Sequence, residues 1–226
     1  MHADISGALW WPARRVLVVA DLHLEKGSSL AAHGALLPPY DSSATVQRLA
    51  DAIDRLAPDC VICLGDSFHD GGGPGRLDEQ SRLRLTALAA ARDWVWIAGN
   101  HDPSPSGLGG RTLAGIAIGG LVFRHEAVAG PVAGEVSGHF HPKARVATRA
   151  RSITARCFAS DDRRIILPAF GAYAGGLNVL DPAIARFFPR TFTAAVIGRD
   201  RVHVVSAAQL LPSIRTDLQD RAVGGR

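Results

Sequence analysis

Short runs of aliphatic and β-branched residues alternate with helical patterns over the first hundred residues. Three of these runs predict buried strands: 16–20 (VLVVA), 61–64 (VICL) and 94–98 (WVWIA). Residues 8–11 suggest a hairpin arm before the first strand. Apolar residues recur at helical spacing over 46–56 and 77–91, and Asp41 is the predicted N-cap of the first helix. This order predicts a partly parallel sheet with helices outside it.

Beyond about Leu113 the pattern changes to a succession of strand-like segments with little helix between them. The predicted strands are 116–124, 134–137, 144–148, 154–158, 164–167, 193–197 and 201–205. Two sheets packed face to face, with helices on their outer faces, fit this pattern. Neither a repeat nor a linker divides residues 1–226, so we expect a single domain with a frayed tail after Leu211.

Composition indicates a globular protein without a membrane anchor. The chain has 226 residues, 47% of them hydrophobic, and no apolar run reaches the ~20 residues that span a bilayer. The N-terminus lacks a signal-peptide pattern, so we expect a cytoplasmic protein. Of the three cysteines, Cys60 and Cys63 form a C-x-x-C, but on a strand they point to opposite faces and are expected to be core residues.

The formal net charge of +4 comes almost entirely from arginine, since Lys26 and Lys143 are the only lysines. Arginine binds phosphate in a bidentate manner, which suits a nucleic-acid or nucleotide substrate. A coding bias towards arginine explains the same composition equally well. One basic stretch could follow a phosphate backbone or form an ordinary solvated strand edge: Arg145, Arg149, Arg151 and Arg156.

Residues of the types that bind metals follow the predicted strands at five points. These points are Asp21-x-His23, Gly65-Asp66, Gly99-Asn100-His101-Asp102, His125 and Gly138-His139-x-His141. Any one of these residues alone is more often a cap or a turn residue. The carboxyl ends of parallel strands meet at one edge of a sheet, however, and ligands bind there. Carboxylate and amide oxygens with imidazole nitrogens suit Mn²⁺, Fe²⁺ or Zn²⁺.

This ordered set resembles the calcineurin-like metallophosphoesterase superfamily over roughly residues 16–141. The resemblance implies an α/β fold, a four-layer α-β-β-α sandwich of two mixed sheets flanked by helices, with two divalent metal ions that activate water and clamp phosphate oxygens. It implies that His101 faces the substrate phosphate and that Asp102 orients His101. The implied ligands are Asp21, His23, Asp66 and His141 for one ion, and Asp66, Asn100, His125 and His139 for the other.

A finer resemblance, almost end to end, is to the bacterial DNA-ligase-associated metallophosphoesterases. It rests on residues 8–12 (ALWWP), 20–27 (ADLHLEKG), 64–70 (LGDSFHD), 138–142 (GHFHP) and 167–176 (LPAFGAYAGG). It implies a manganese-dependent phosphodiesterase or DNA endonuclease that acts on single-stranded DNA in repair, in association with a DNA ligase. We expect His69 and Arg124 to lie near the substrate, and the glycine-rich segment 168–176 to border the site.

Two alternatives differ from this reading. A nucleotide or sugar-nucleotide pyrophosphatase, or a phosphomonoesterase of the same superfamily, would share every ligand. A non-catalytic protein-binding scaffold would be expected to have lost ligands, whereas here every ligand position and His101 are present.

Overall fold

The computed structural model describes residues 1–35, 37–102 and 107–213. The strands are β1 His2–Ala3, β2 Leu9–Trp11, β3 Val16–Val19, β4 Cys60–Leu64, β5 Asp93–Ile97, β6 Arg111–Leu113, β7 Gly115–Ile118, β8 Leu121–Arg124, β9 Glu135–Ser137, β10 Lys143–Ala147, β11 Ser152–Ser160, β12 Arg164–Ile166, β13 Thr193–Ile197, β14 Val202–Ser206 and β15 Leu210–Leu211. The helices are α1 Lys26–Ala32, α2 Asp41–Leu56, α3 Gly73–Arg76, α4 Glu79–Ala90 and α5 Pro182–Ala185. The predicted frayed tail lies, from residue 214 onward, outside the described residues.

The first sheet has the strand order β1-β2-β3-β4-β5-β6. The strands β3 to β6 run parallel to one another, and β2 pairs with β3 as the predicted hairpin arm. Buried side chains of α2 and α4, such as Leu49 and Leu85, pack on one face of this sheet together with Trp94 and Trp96. The predicted parallel sheet with helices outside it is confirmed.

The second sheet has the order β14-β13-β11-β12-β9-β8-β7, and β10 and β15 extend it from β11. It is mixed, because β8, β9 and β12 are parallel while the other pairings are antiparallel. Val18 and Ile62 of the first sheet meet Phe123 and Phe158 of the second in a core between the sheets. The four-layer sandwich is thereby confirmed. Its fourth layer consists of the short α5 and the aromatic residues after it.

The helix boundaries differ from the predicted ones in two places. Asp41 is the first residue of α2 rather than its N-cap, and its carboxylate accepts the N–H of Gly27 in α1 at 3.0 Å. The predicted helix 77–91 is shorter in the structure and corresponds to α4, Glu79–Ala90. Its N-cap is Asp78, whose side chain accepts the N–H of Ser81. Among the described residues, no helix has the length and hydropathy needed to cross a bilayer.

Cys60 and Cys63 lie on opposite faces of β4, as predicted. Cys63 is buried under the helices, whereas Cys60 packs against the core between the sheets. Both are free thiols, and burial raises the pKa of Cys60 to about 11. These properties fit core residues and do not fit a redox pair.

The core between the sheets should dominate stability. Replacing Ile62, which is 0% exposed in the centre of β4, by alanine should lower the free energy of unfolding by about 2–5 kcal/mol. The matched change Val204→Ala removes an aliphatic side chain that is 72% exposed and should change it by less than about 0.5 kcal/mol. Urea denaturation measures both, and equal effects would contradict the packing described here.

Candidate metal centre

The two sheets bring the predicted ligands together at one edge of the sandwich. Each ligand segment begins within three residues of the end of a strand: Asp21 after β3, Asp66 after β4, Asn100 after β5, His125 after β8, and His139 with His141 after β9. Because β3, β4 and β5 are parallel, as are β8 and β9, their carboxyl ends face the same way. The site therefore spans the gap between the two sheets.

One group of side chains consists of Asp21, His23 and His141, whose nearest ligand atoms all lie within 4.8 Å of one another. The Nε2 atoms of His23 and His141 are 3.1 Å apart, and His141 Nε2 lies 3.6 Å from Asp21 Oδ1. Neighbouring ligands of one ion stand about this far apart when the metal–nitrogen distance is about 2.1 Å. The group could hold one metal ion.

The second group consists of Asp66, His125 and His139, with Asn100 beside it. His125 Nε2 lies 3.1 Å from His139 Nδ1, 3.5 Å from Asp66 Oδ2 and 2.8 Å from Asn100 Oδ1. His125 Nδ1 donates to the carbonyl oxygen of Leu64 at 2.8 Å, which directs Nε2 towards the group. The structure thus brings together all seven predicted metal ligands in two neighbouring groups.

Each of the two carboxylates uses one oxygen to hold backbone and leaves the other for the site. Asp21 Oδ2 accepts the N–H of His139 at 2.9 Å, and Asp66 Oδ1 accepts the N–H of His101 at 3.0 Å. Asp21 Oδ1 is buried without a hydrogen-bond partner among the described residues. A buried, unpaired carboxylate oxygen is costly, and a cation in the site would satisfy it. The residues present therefore fit a metal ion.

The backbone at the ligands is left-handed. Asp21, His23, Asp66, His139 and His141 have φ values of 54°, 43°, 44°, 70° and 47°. Such a conformation costs about 1–3 kcal/mol at a residue other than glycine and persists only where the surroundings enforce it. The concentration of this strain at the predicted ligands marks the edge as a functional site.

Two glycines make room for the ligands. A Cβ on Gly65, where φ is +74°, would lie 2.4 Å from His125 Nδ1, and a Cβ on Gly99 would lie 2.2 Å from both the N and Oδ1 atoms of Asp66. No larger residue fits at either position without displacing a ligand. The glycines before Asp66 and Asn100 in the sequence therefore have a steric role.

The electrostatics of the site favour the metal-binding protonation states of His23 and Asp66, but not that of His125. Burial is the main cause that lowers the pKa of His23 to about 3. Burial acts in the same direction on His125, but the carboxylates of Asp66 and Asp21 outweigh it and raise its pKa to about 9. Burial would raise the pKa of Asp66, yet its hydrogen bonds with His125 and His101 hold it well below the usual range. At His125 a metal ion would have to displace a proton.

His101 lies at the open side of the two groups, with 42% of its side chain exposed. Its Nδ1 donates to the carbonyl oxygen of His69 at 2.9 Å, and its Nε2 lies 4.0 Å from Asp66 Oδ2. The expectation that Asp102 orients His101 is wrong for this structure. The Asp102 carboxylate instead accepts the N–H groups of Ser67 at 3.1 Å and Phe68 at 2.8 Å. Asp102 thus holds the backbone that follows Asp66.

The two residues expected near the substrate differ in their positions. The ring of His69 stacks on that of His101 with centroids 5.4 Å apart, at the rim of the site. Arg124 instead points towards the buried carboxylate of Glu135, with its Nε 3.6 Å from Oε1. His69 is therefore well placed to reach a bound phosphate, whereas Arg124 is engaged in an internal ion pair.

The basic stretch on β10 and β11 does not form one free surface. Arg145 donates to the hydroxyl of Ser152, and Arg156 is half-buried and donates to the carbonyl oxygen of Ala169. Two of the four arginine side chains of this stretch are therefore already engaged within the protein, which weakens the prediction that the stretch follows a phosphate backbone.

Sequence reasoning missed a buried network that supports the segment after His23. Glu25, with φ of 63°, accepts hydroxyl groups from Ser28 at 2.6 Å and Ser42 at 2.7 Å. Asp41 completes the network from α2 through its bond to the N–H of Gly27. Glu25, two residues after His23, was the signal in the sequence that could have indicated this network. Its partner Ser42 lies 17 residues further along the chain, so no local pattern connects the two.

The sequence model of the calcineurin-like phosphoesterase family matches residues 14–149, more than half of the chain. The chain belongs to the calcineurin-like phosphoesterase family. Membership makes it a metal-dependent hydrolase, and members of this family bind two divalent metal ions, in agreement with the two ligand groups. The resemblance to this superfamily that the sequence motifs indicate is confirmed.

Solved structures extend this result. The crystal structure of the nuclease MPE of Pseudomonas putida aligns with a TM-score of 0.68 and 26% sequence identity, covering 89% of this calcineurin-like phosphoesterase and 92% of that chain. The phosphoesterase Yfce of E. coli aligns with a TM-score of 0.43 and 14% identity, covering 84% of this chain and 98% of that chain, a likeness too distant to bear on function. No curated protein matches the chain significantly in sequence.

Because Gly99 lies so close to Asp66, adding one methyl group at position 99 should affect both stability and metal binding. Gly99→Ala should lower the free energy of unfolding by about 1–3 kcal/mol and reduce Mn²⁺ affinity by about 10–100-fold, because Asp66 must move. Gly75→Ala is the control, since a Cβ there meets no atom within 4 Å. Denaturation and calorimetric metal titration measure the two effects. Unchanged metal affinity in Gly99→Ala would contradict the geometry of this edge.

Proposed function

We propose that this protein is a two-metal phosphodiesterase that cleaves nucleic acid, as a manganese-dependent endonuclease acting on single-stranded DNA in a ligase-associated repair context. The observation that carries the proposal is the pair of three-ligand groups at one edge of the sandwich, with the exposed imidazole of His101 beside them. Family membership supports hydrolysis of a phosphate ester. The similar structure from Pseudomonas putida is that of a nuclease, which supports a nucleic-acid substrate.

The proposed ligands follow the two groups. Asp21, His23 and His141 would hold one ion, and His125, His139 and Asn100 the other. Asp66 would bridge them, because its Oδ2 lies 3.5 Å from His125 Nε2 and its carbonyl oxygen accepts the N–H of His23 at 2.9 Å, which places Asp66 beside both groups. A metal pair lowers the pKa of a shared water and neutralises charge on the phosphate oxygens. The donor set of oxygen and imidazole nitrogen contains no thiolate and suits Mn²⁺, with Fe²⁺ or Zn²⁺ as alternatives.

His101 would act on the substrate through Nε2. Because a carbonyl oxygen only accepts hydrogen bonds, the bond to His69 requires a proton on His101 Nδ1. The neutral ring then presents a lone pair at Nε2, and the cationic ring presents an N–H. Only the cationic form can donate to a phosphate oxygen or protonate the departing alkoxide. The stacked ring of His69 would border the same phosphate.

The substrate class can be tested with purified protein and Mn²⁺. We expect cleavage of a single-stranded oligonucleotide and of bis(p-nitrophenyl) phosphate, with slower cleavage of the matching duplex. A mononucleotide and a sugar nucleotide test the pyrophosphatase and phosphomonoesterase alternative. Turnover of these two compounds with no release of oligonucleotide fragments would replace the nuclease proposal by that alternative.

Two substitutions separate metal binding from the chemical step. Asp66→Ala should abolish turnover and weaken both metal sites, because it removes the shared carboxylate. His101→Ala should retain both ions while turnover falls by about 10²–10⁴-fold. Steady-state kinetics and metal analysis on each variant measure this. Loss of both ions from His101→Ala would show that His101 is a ligand rather than a group that contacts the substrate.

A further inference from the structure

Exposed apolar side chains lie on two loops beside the metal centre. The loop before α2 (residues 37–40) carries Leu37, which is 41% exposed, and Tyr40, which is 68% exposed. The loop after β12 (residues 167–177) carries Leu177, which is 42% exposed. A single exposed apolar side chain is ordinary, but a group of them on adjoining loops indicates a contact surface.

Hydrogen bonds join these loops to each other and to a proposed ligand. The hydroxyl of Tyr173 donates to the carbonyl oxygen of Pro38 at 2.9 Å, and the N–H of Tyr40 donates to the same oxygen at 2.9 Å. The N–H of Gly171 donates to the carbonyl oxygen of Asp21 at 3.1 Å. The chain has two tyrosines, and both lie on this one unit next to Asp21.

The loop after β12 reaches from Asp21 to the other side of the same ligand group. A Cβ on Gly176 would lie 2.3 Å from the carbonyl oxygen of His141 and 3.0 Å from Lys143 Cε. The loop thus packs against the backbone of two proposed ligands, Asp21 and His141. Lys26 lies beside the other loop, since a Cβ on its neighbour Gly27 would lie 3.6 Å from the oxygen that both tyrosines share.

The charges along this rim complement a nucleic acid. Lys26 and Lys143 are the only lysines of the chain, and within the described residues neither ammonium forms an ion pair. Surfaces that bind single-stranded nucleic acid combine aromatic rings with unpaired cations. The bases stack on the rings, and the phosphates lie against the basic groups. A surface for a protein partner would need exposed apolar area, but it would have no need of cations beside a phosphate-binding site.

We propose that Tyr40 and Tyr173 form a stacking surface for unpaired nucleobases next to the phosphate that is cleaved. This inference rests on the proposed nuclease function and deepens it. Every base has a π-face, so such a surface accepts many sequences. The bases of a duplex are already stacked within the helix and are not free to use it. The surface therefore gives a physical reason for a preference for single strands.

Kinetics on Tyr40 variants test the surface. Tyr40→Ala should raise KM for a single-stranded oligonucleotide by about 5–100-fold, the effect of losing one stacked base, and should raise it far less for bis(p-nitrophenyl) phosphate. Tyr40→Phe keeps the ring and should restore KM to near the wild-type value. Leu83→Ala removes a 63% exposed side chain from α4 and is the control for loss of exposed apolar area.

An oligonucleotide with abasic sites around the cleaved phosphate tests the chemistry of the contact. The wild type should bind it more weakly than it binds the intact strand, and Tyr40→Ala should weaken binding of the abasic strand far less than it weakens binding of the intact one. Equal losses on intact and abasic strands, or no loss on either, would overturn the stacking surface while leaving the nuclease proposal intact. A wild type that hydrolyses only the small diester would overturn both.

Discussion

The whole site depends on left-handed backbone at the ends of parallel strands. A strand that simply continued would carry Asp21 and His23 away from the edge of the sheet, whereas positive φ at both residues turns the chain back over it. The cost of this strain is offset by bonds between the strand ends. The N–H of His23 donates to the carbonyl oxygen of Asp66 at 2.9 Å, and the N–H of Asp21 donates to that of Gly65 at 3.3 Å.

The ligands also hold one another across the two sheets. The Asp21 carboxylate from the first sheet accepts the N–H of His139 from the second, and the imidazole of His125 lies over Gly65 of the first. At the start of β9, Glu135 is buried with Arg164, whose Nη1 lies 3.1 Å from Glu135 Oε2, and Glu135 Oε1 accepts the N–H of Val128 in the loop after His125. Breaking such a buried pair is costly, so it ties that loop to the second sheet.

The sequence was sufficient for most of the strands and for placing residues of ligand types at one edge, because both depend on local patterns. The predicted strand 116–124 is instead the hairpin of β7 and β8. Apolar runs mark buried strands, and ligand types at their ends meet wherever the strands are parallel. It failed where distant contacts decide the structure. The segment 26–32 contains Gly27, Ser28 and Ser29, which are weak helix formers, and it is helical with support from Asp41 and Glu25. Asp102 follows His101 directly, yet its carboxylate turns to the amides after Asp66 because those buried donors need an acceptor.

Charge explains why such a site selects phosphate esters. The proposed ligands would contribute two carboxylates, Asp21 and Asp66, together with an amide and imidazoles that bind metal in their neutral form. Two divalent cations would add +4 to this −2 and leave a net +2 at the open edge, where His101 is exposed. A phosphodiester carries one negative charge, so it is attracted to this edge, while neutral esters gain nothing from it. The metals would therefore supply the attraction to phosphate, and the side chains around them would select which phosphate ester is held.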